Sequence, residues 1–208
     1  MKDVDYIICN TDKDKKDALL LIKKEYSKQG YINSFVPKID MPKNSVTFLA
    51  KHVNRIIGTI SVTIDSNSGL PIDEIYKKEI DKLRAQNRKI VEVGRFATDR
   101  EFLSKEKYNN LLLVMSLFKL VFHYCIYRNI DNICISINPK HNLFYKSMFF
   151  SDIGGLKSCP TVNNAPAIAK TLDINKLKNK KTKNYLLDKL FWSNPPCYKI
   201  FENIQSIK

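Results

Sequence analysis

The stretch "VEVGRFATD", residues 91–99, decides how this chain is read. It has the composition of a buried strand, yet it carries Glu92 and Arg95 where burial excludes charge. In a regular strand, residues three apart point to opposite faces. A β-bulge changes that parity, and Gly94 between the two charges is the expected bulge residue. With a bulge, Glu92 and Arg95 share one face, and backbone N–H groups beside it lose their ladder partners. Such amides can polarise a carbonyl. A self-satisfied Glu–Arg ion pair is the bland alternative. The cost of burying both charges favours a site.

The pattern extends outward on both sides. Upstream, "SVTFLAKHVNRIIGTISVTID" (45–65) reads as a hairpin turning near Asn54. "SNSGLPIDEIY" (66–76) begins with turn chemistry, and 71–87 reads as one or two short helices. Further back, "DYIICN" (5–10) predicts a strand. A helix follows it, with apolar Ala18, Leu19, Ile22 and Tyr26, Asp12 or Asp14 as cap, and Gly30 as stop. Downstream, a charged connector leads to an apolar helix over 106–128. Then come a strand "NICISINP" (132–139), a short helix "KHNLFYKSMFF" (140–150) and a last strand "PAIAKTLDI" (166–174).

Strand 91–99, the long helix and strand 132–138 form a β-α-β unit, hence a parallel pair. The hairpin is antiparallel. The fold class is therefore α/β, a mixed central sheet with helices on both faces. Residues 1–174 are expected to form the domain. Residues 175–208 form a lysine-rich extension, with Tyr185, Leu186, Lys189 and Leu190 suggesting an amphipathic helix that Pro195 and Pro196 interrupt.

Composition narrows the function. The five cysteines include no CxxC pair, so neither a zinc site nor a disulfide framework is expected, and reduced thiols fit a cytoplasmic protein. Residues 110–127 resemble a membrane span, but Ser116, Lys119 and His123 mark one polar stripe of a buried helix. The net charge of +14 implies an acidic partner. No nucleic-acid-binding motif accompanies it, so nucleic acid is not expected. Peripheral contact of the basic tail with anionic membrane is a weaker alternative.

Four fragments carry a resemblance: "GLPIDEIY" (69–76), "VEVGRFATD" (91–99), "PKHNLFYKSMFF" (139–150) and "CPTVNNAPAIAKTLDI" (159–174). In order and spacing they resemble bacterial long-chain N-acyl amino acid synthases. These have the GCN5-related N-acyltransferase fold and are relatives of the acyl-homoserine lactone synthases. The resemblance spans roughly 5–174. It implies an acyltransferase whose donor is the acyl-phosphopantetheine of an acyl carrier protein and whose acceptor is an amino acid, with no permanently bound cofactor and no metal. It departs from the family at Gly94, where a serine or other small residue is usual. It departs again at Phe149-Phe150, where the family's helix tends to end in Gly-Phe.

The resemblance also implies roles. Glu92 is the first candidate for general base and His141 the second. Arg95 would hold the acceptor carboxylate or orient Glu92, and Tyr145 would protonate the leaving thiolate. The amides of Phe96 and Ala97 would steady the oxyanion. Leu112, Met115, Phe118 and Phe122 would line the acyl tunnel, and Asn163 and Asn164 would lie near the acceptor. Coenzyme-A-dependent relatives carry a glycine-rich pyrophosphate loop before the long helix. Here "DREFLSKEKYNNLL" (99–112) has no glycine, which favours a carrier-protein donor. A lactone synthase reading lacks its N-terminal tryptophans, since Trp192 is the only one.

Overall fold

The computed structural model describes residues 3–32, 40–42, 44–179, 191–193, 195–196, 198–202 and 204. Among the described residues, seven strands form one sheet: β1 (Val4–Ile8), β2 (Ser45–His52), β3 (Arg55–Ile64), β4 (Ile90–Thr98), β5 (Asn132–Ile137), β6 (Ser151–Cys159) and β7 (Ala165–Asp173). Their order is β1-β2-β3-β4-β5-β7-β6. Only the β4–β5 pair is parallel, as the connecting helix requires. The mixed α/β class expected from the sequence is the one observed.

The helices divide between the two faces. Helix α4 (Asn110–Tyr127) packs its Leu113, Leu117 and Val121 against Phe48, Ile57 and Val91. On the other face, α1 (Asp12–Lys28) sets Ala18, Leu21 and Ile22 against Leu49, Ile56 and Ala97. Helix α2 (Asp73–Arg84) places Tyr76 and Ile80 against Ile90, Cys134 and Ala169. By length and composition α4 is apolar enough to cross a membrane, but its apolar side chains form the core of the sheet's face.

Several expectations need correction. The cap of α1 is Thr11, which accepts from the Asp14 N–H at 3.0 Å and donates back to its carboxylate at 2.7 Å. The expected connector before the long helix contains a helix of its own, α3 (Arg100–Lys105). Helix α4 starts only at Asn110, where the Asn109 side chain caps the Leu112 N–H. The expected helix at 140–150 is shorter: a 3₁₀ turn over Pro139–His141, then α5 (Asn142–Ser147). It ends at Phe149, whose φ of 67° is the left-handed conformation that glycine adopts at such ends.

The sequence predicts no strand over β6. It is an edge strand, largely exposed, and its register against β7 shifts twice, so it has no two-residue hydrophobic rhythm to read. Its Gly154 is required: a Cβ there would lie 2.5 Å from the Tyr76 ring.

The polar stripe on α4 does have a partner. Lys119 donates to the Ser193 carbonyl, and His123 meets the Phe191 carbonyl at 2.6 Å and the Tyr198 hydroxyl at 3.2 Å. Phe201, on the short helix α7 that follows α6 (Ile174–Asn179) and spans Lys199–Glu202, packs against Phe48 and Tyr124. The proposed amphipathic helix of Tyr185, Leu186, Lys189 and Leu190 lies outside the described residues.

Candidate active site

Strand β4 carries the site. On β3, Thr59, Ser61 and Thr63 alternate regularly, and their partners across the ladder are Ala97, Gly94 and Glu92. Between these pairs one residue on β3, Ile60, thus stands opposite two on β4, Arg95 and Phe96. The chain accommodates the extra residue at Arg95, with φ of 51°, and Phe96. The bulge expected from the sequence is present, but one residue later. Its left-handed residue is Arg95, not Gly94, so a non-glycine residue carries the strain.

The bulge has the consequence foreseen for it. Phe96 turns to the α4 face and meets Phe118 at 5.6 Å between ring centroids. Arg95 remains with Glu92 and Gly94 in the wall of one cavity. On the opposite edge, β4 and β5 pair only from Ile90–Asn132 to Glu92–Cys134 and then diverge. Arg95 and Phe96 therefore have no registered partner on either neighbouring strand. Ala97 is back in register opposite Thr59, so of the two amides expected to be free only that of Phe96 lies in the unregistered step.

The opening between β4 and β5 forms a cavity of about 240 Å³. Glu92, Gly94 and Arg95 form one wall, Ser136 and Asn138 of β5 and its exit a second, and Pro71 and Ile72 a third. Glu92 is 8 % exposed, and one carboxylate oxygen accepts the Ile72 N–H at 2.6 Å. Burial pushes its pKa up to about 8; the Ile72 N–H and the Arg95 charge draw it down, and Asp73 adds to the rise. Arg95 donates through Nε to the Asp40 carbonyl at 3.1 Å.

A second cavity, about 330 Å³, has Leu111, Val114, Phe96 and Phe144 on its apolar side and Glu25, Gln29, Arg100 and Asn110 on its polar side. The two cavities share Tyr26, Tyr31, Phe96, His141 and Tyr145 as walls. Tyr145 is buried edge-on among Phe118, Phe144 and Phe150, and burial pushes its phenol well above the usual range. His141 is held below its ordinary value by burial and by the charges of Lys140 and Arg100, so it is a neutral imidazole at pH 7.

The structure thus brings Glu92, Arg95, Phe96, His141 and Tyr145 to one place. It does not bring the expected acyl-tunnel set there. Leu112 is exposed, and Phe122 packs on Phe191 and Trp192. Phe118 stands behind Phe96 and Tyr145. None of these, nor Met115, lines either cavity; Leu111 and Val114, one position earlier on the helix than Leu112 and Met115, do. Asn163 and Asn164 also miss the cavity wall, which Thr161, Val162 and Ala165 provide instead. Both asparagines adopt left-handed φ of 56°, and Asn163 donates to the Gly30 carbonyl.

Sequence reasoning missed three contributors. Tyr26 has the spacing of a core residue on α1, and Tyr31 follows its end, 5.7 Å away and nearly perpendicular. Ile72 contributes a backbone N–H, which no residue type announces.

Chemically, the arrangement offers a proton acceptor, a fixed cation and a hydrogen-bond donor around the junction of two cavities. Comparison with known proteins gives the family. The family model for the N-acyl amino acid synthase FeeM matches residues 17–173. The structure of FeeM, an N-acyl amino acid synthase from uncultured soil microbes, is 33 % identical. It superposes with a TM-score of 0.77 over 83 % of this chain and 93 % of FeeM. The AHL synthase LasI (12 % identity, TM-score 0.59, 91 % and 93 % covered) shares the fold. So does a putative N-acetyltransferase from Lactobacillus plantarum (11 %, 0.59, 82 % and 98 %). No curated protein matches the chain. The protein belongs to the FeeM family of N-acyl amino acid synthases and is an acyltransferase.

Proposed function

We propose that the protein transfers a long-chain acyl group from the thioester of an acyl carrier protein to the amine of an amino acid. The observation that carries this reading is the pair of cavities sharing Tyr26, Phe96, His141 and Tyr145, one ending on Glu92 and Arg95, the other walled on one side by Leu111, Val114 and Phe144. The amino acid occupies the first and the acyl thioester the second, so amine and carbonyl meet at the β4 bulge.

Glu92 takes a proton from the acceptor's ammonium, directly or through water. A carboxylate raised to about 8 is matched to that task far better than an ordinary one. Arg95 holds the acceptor's carboxylate with its guanidinium fork. The nitrogen attacks the thioester carbon, and the oxyanion accepts from the Phe96 amide. The C–S bond then breaks, and the sulfur departs as a thiolate. Tyr145, with its phenol raised, is a stronger hydrogen-bond donor than proton source, so it steadies the thiolate, which takes up through solvent the second proton that the nitrogen sheds as the amide forms.

The carrier-protein assignment rests on the segment between β4 and α4. It is a helix, α3, and a turn closed by the Asn109 cap, in place of a glycine-rich pyrophosphate loop. The basic charge of +14 suits an acidic carrier. The test supplies one acyl chain on two donors, carrier protein and coenzyme A, with a mixture of amino acids, and weighs the product by mass spectrometry. The expected product forms at least tenfold faster from the carrier donor. Equal or faster transfer from coenzyme A contradicts the donor assignment, and product confined to short chains contradicts the chain length.

A further inference from the structure

The N–H that meets Glu92 comes from a loop under unusual restraint. Arg84, near the end of α2, grips Asp65 through Nε and Nη2 at 2.8 Å each. It also grips Asp73 through Nη1 and Nη2 at 3.0 and 2.6 Å, and Asp81 at 2.7 Å. Asp73 in turn accepts the Leu70 N–H at 2.8 Å. Gly69, with φ of 74°, sits so close that a Cβ would lie 2.6 Å from the Asp73 carboxylate. Residues 69–73 are therefore clamped at both ends, and the Ile72 N–H projects from the middle onto Glu92 at 2.6 Å.

We infer that Arg84 and Asp73 are positioning residues of the active site, holding the Ile72 N–H against Glu92 and thereby fixing its orientation and the stability of its ionised form. The inference rests on the reading of Glu92 as the base. An ion-pair cluster that served stability alone would have no need to terminate on the hydrogen-bond donor of a buried carboxylate. The charged or titratable groups facing Glu92 are Arg95 on its own strand, Asp73 from α2, Tyr26 from α1 and Cys134 from β5.

Charge and geometry make opposite predictions at Asp73, which allows a decisive test. Removing a negative charge, by itself, makes Glu92 ionise more easily. Losing the clamp removes a hydrogen bond to the ionised form and makes it ionise less easily. The carboxyl ¹³C signal of Glu92, assigned by its loss in Glu92→Gln, is titrated by NMR in Asp73→Ala and in Arg84→Lys, which keeps the charge but not the fork. Both midpoints are expected to rise by about half a unit or more, and the midpoint of the pH–rate profile is expected to follow. A fall in Asp73→Ala, or no change in Arg84→Lys, overturns the inference, leaving the cluster a stabiliser that only unfolding curves register. A rise in the NMR midpoint without movement of the pH–rate profile upholds the positioning role and removes Glu92 as the base.

Discussion

Glu92 and Arg95 stand three residues apart on β4 and yet face one cavity, because Arg95 adopts a left-handed φ of 51° within a bulge. That single backbone departure returns Ala97 to the face of Glu92, sends Phe96 toward α4 and leaves a step of strand outside both ladders. It converts a core strand into the wall of a site.

Because ionised Glu92 is disfavoured by burial, its folded-state pKa of about 8 lies above the unfolded value of ~4.3. The folded chain then holds a proton that the unfolded chain has lost. Stability is greatest below the unfolded pKa and falls as pH rises through the window up to about 8. Glu92→Gln abolishes this dependence. Urea midpoints at pH 5 and pH 8.5 are expected to favour the variant increasingly at the higher pH, by several kcal/mol on the order given by linkage. Parallel curves for the two proteins at both pH values would refute the raised value.

Tyr145→Phe removes one hydroxyl from a ring otherwise buried among phenylalanines. Folding should survive. If the hydroxyl steadies the departing thiolate, kcat falls about 10- to 100-fold while the acceptor KM hardly moves. A colorimetric assay of released thiol measures this. An unchanged kcat would make Tyr145 a packing residue.

At Phe149 the ordinary order of glycine and alanine should invert. Alanine elsewhere outranks glycine, but φ of 67° penalises any Cβ. Phe149→Gly and Phe149→Ala lose the same ring, so their difference isolates the backbone. The glycine variant is expected to be the more stable by about 1 kcal/mol in denaturant titration. Alanine ahead of glycine would mean the helix end is not left-handed.

Gly154→Ala places a methyl where the Tyr76 ring already lies, 2.5 Å from its edge. Tyr76 is anchored by hydrogen bonds to the Gly155 and Ala167 carbonyls, at 2.8 and 2.7 Å, and cannot easily retreat. A loss of roughly 1–3 kcal/mol is expected in thermal or urea unfolding. A neutral result would mean that the edge strand yields instead.

The sequence exposes the central strands because β-branched runs in 45–65, 90–98 and 132–137 leave little else to be. It exposes the Glu92–Arg95 site because charge in such a run is anomalous. Other features lack that contrast. Helix α4 is apolar nearly all round, so its rhythm does not say whether Leu111 and Val114 or Leu112 and Met115 face the cavity. That depends on where Phe96 and Phe144 pass in space. Strand β6 is an exposed edge with a Gly154-Gly155 pair, which reads as loop. The Ile72 N–H belongs to the backbone, and only the folded loop aims it. The bulge lies one residue beyond Gly94 because an arginine, rather than the usual glycine, takes the left-handed position.

The central claim is that Glu92 accepts the acceptor's proton. It is tested most directly by measuring acyl transfer to an amino acid at saturating donor, by mass spectrometry, for the wild-type protein beside Glu92→Gln and His141→Gln. The account predicts that Glu92→Gln loses roughly 10²- to 10⁴-fold in kcat/KM, the usual contribution of a general base, while His141→Gln loses much less. Glu92→Gln within about threefold of wild type, with His141→Gln nearly inactive, would contradict it and assign the proton to the imidazole.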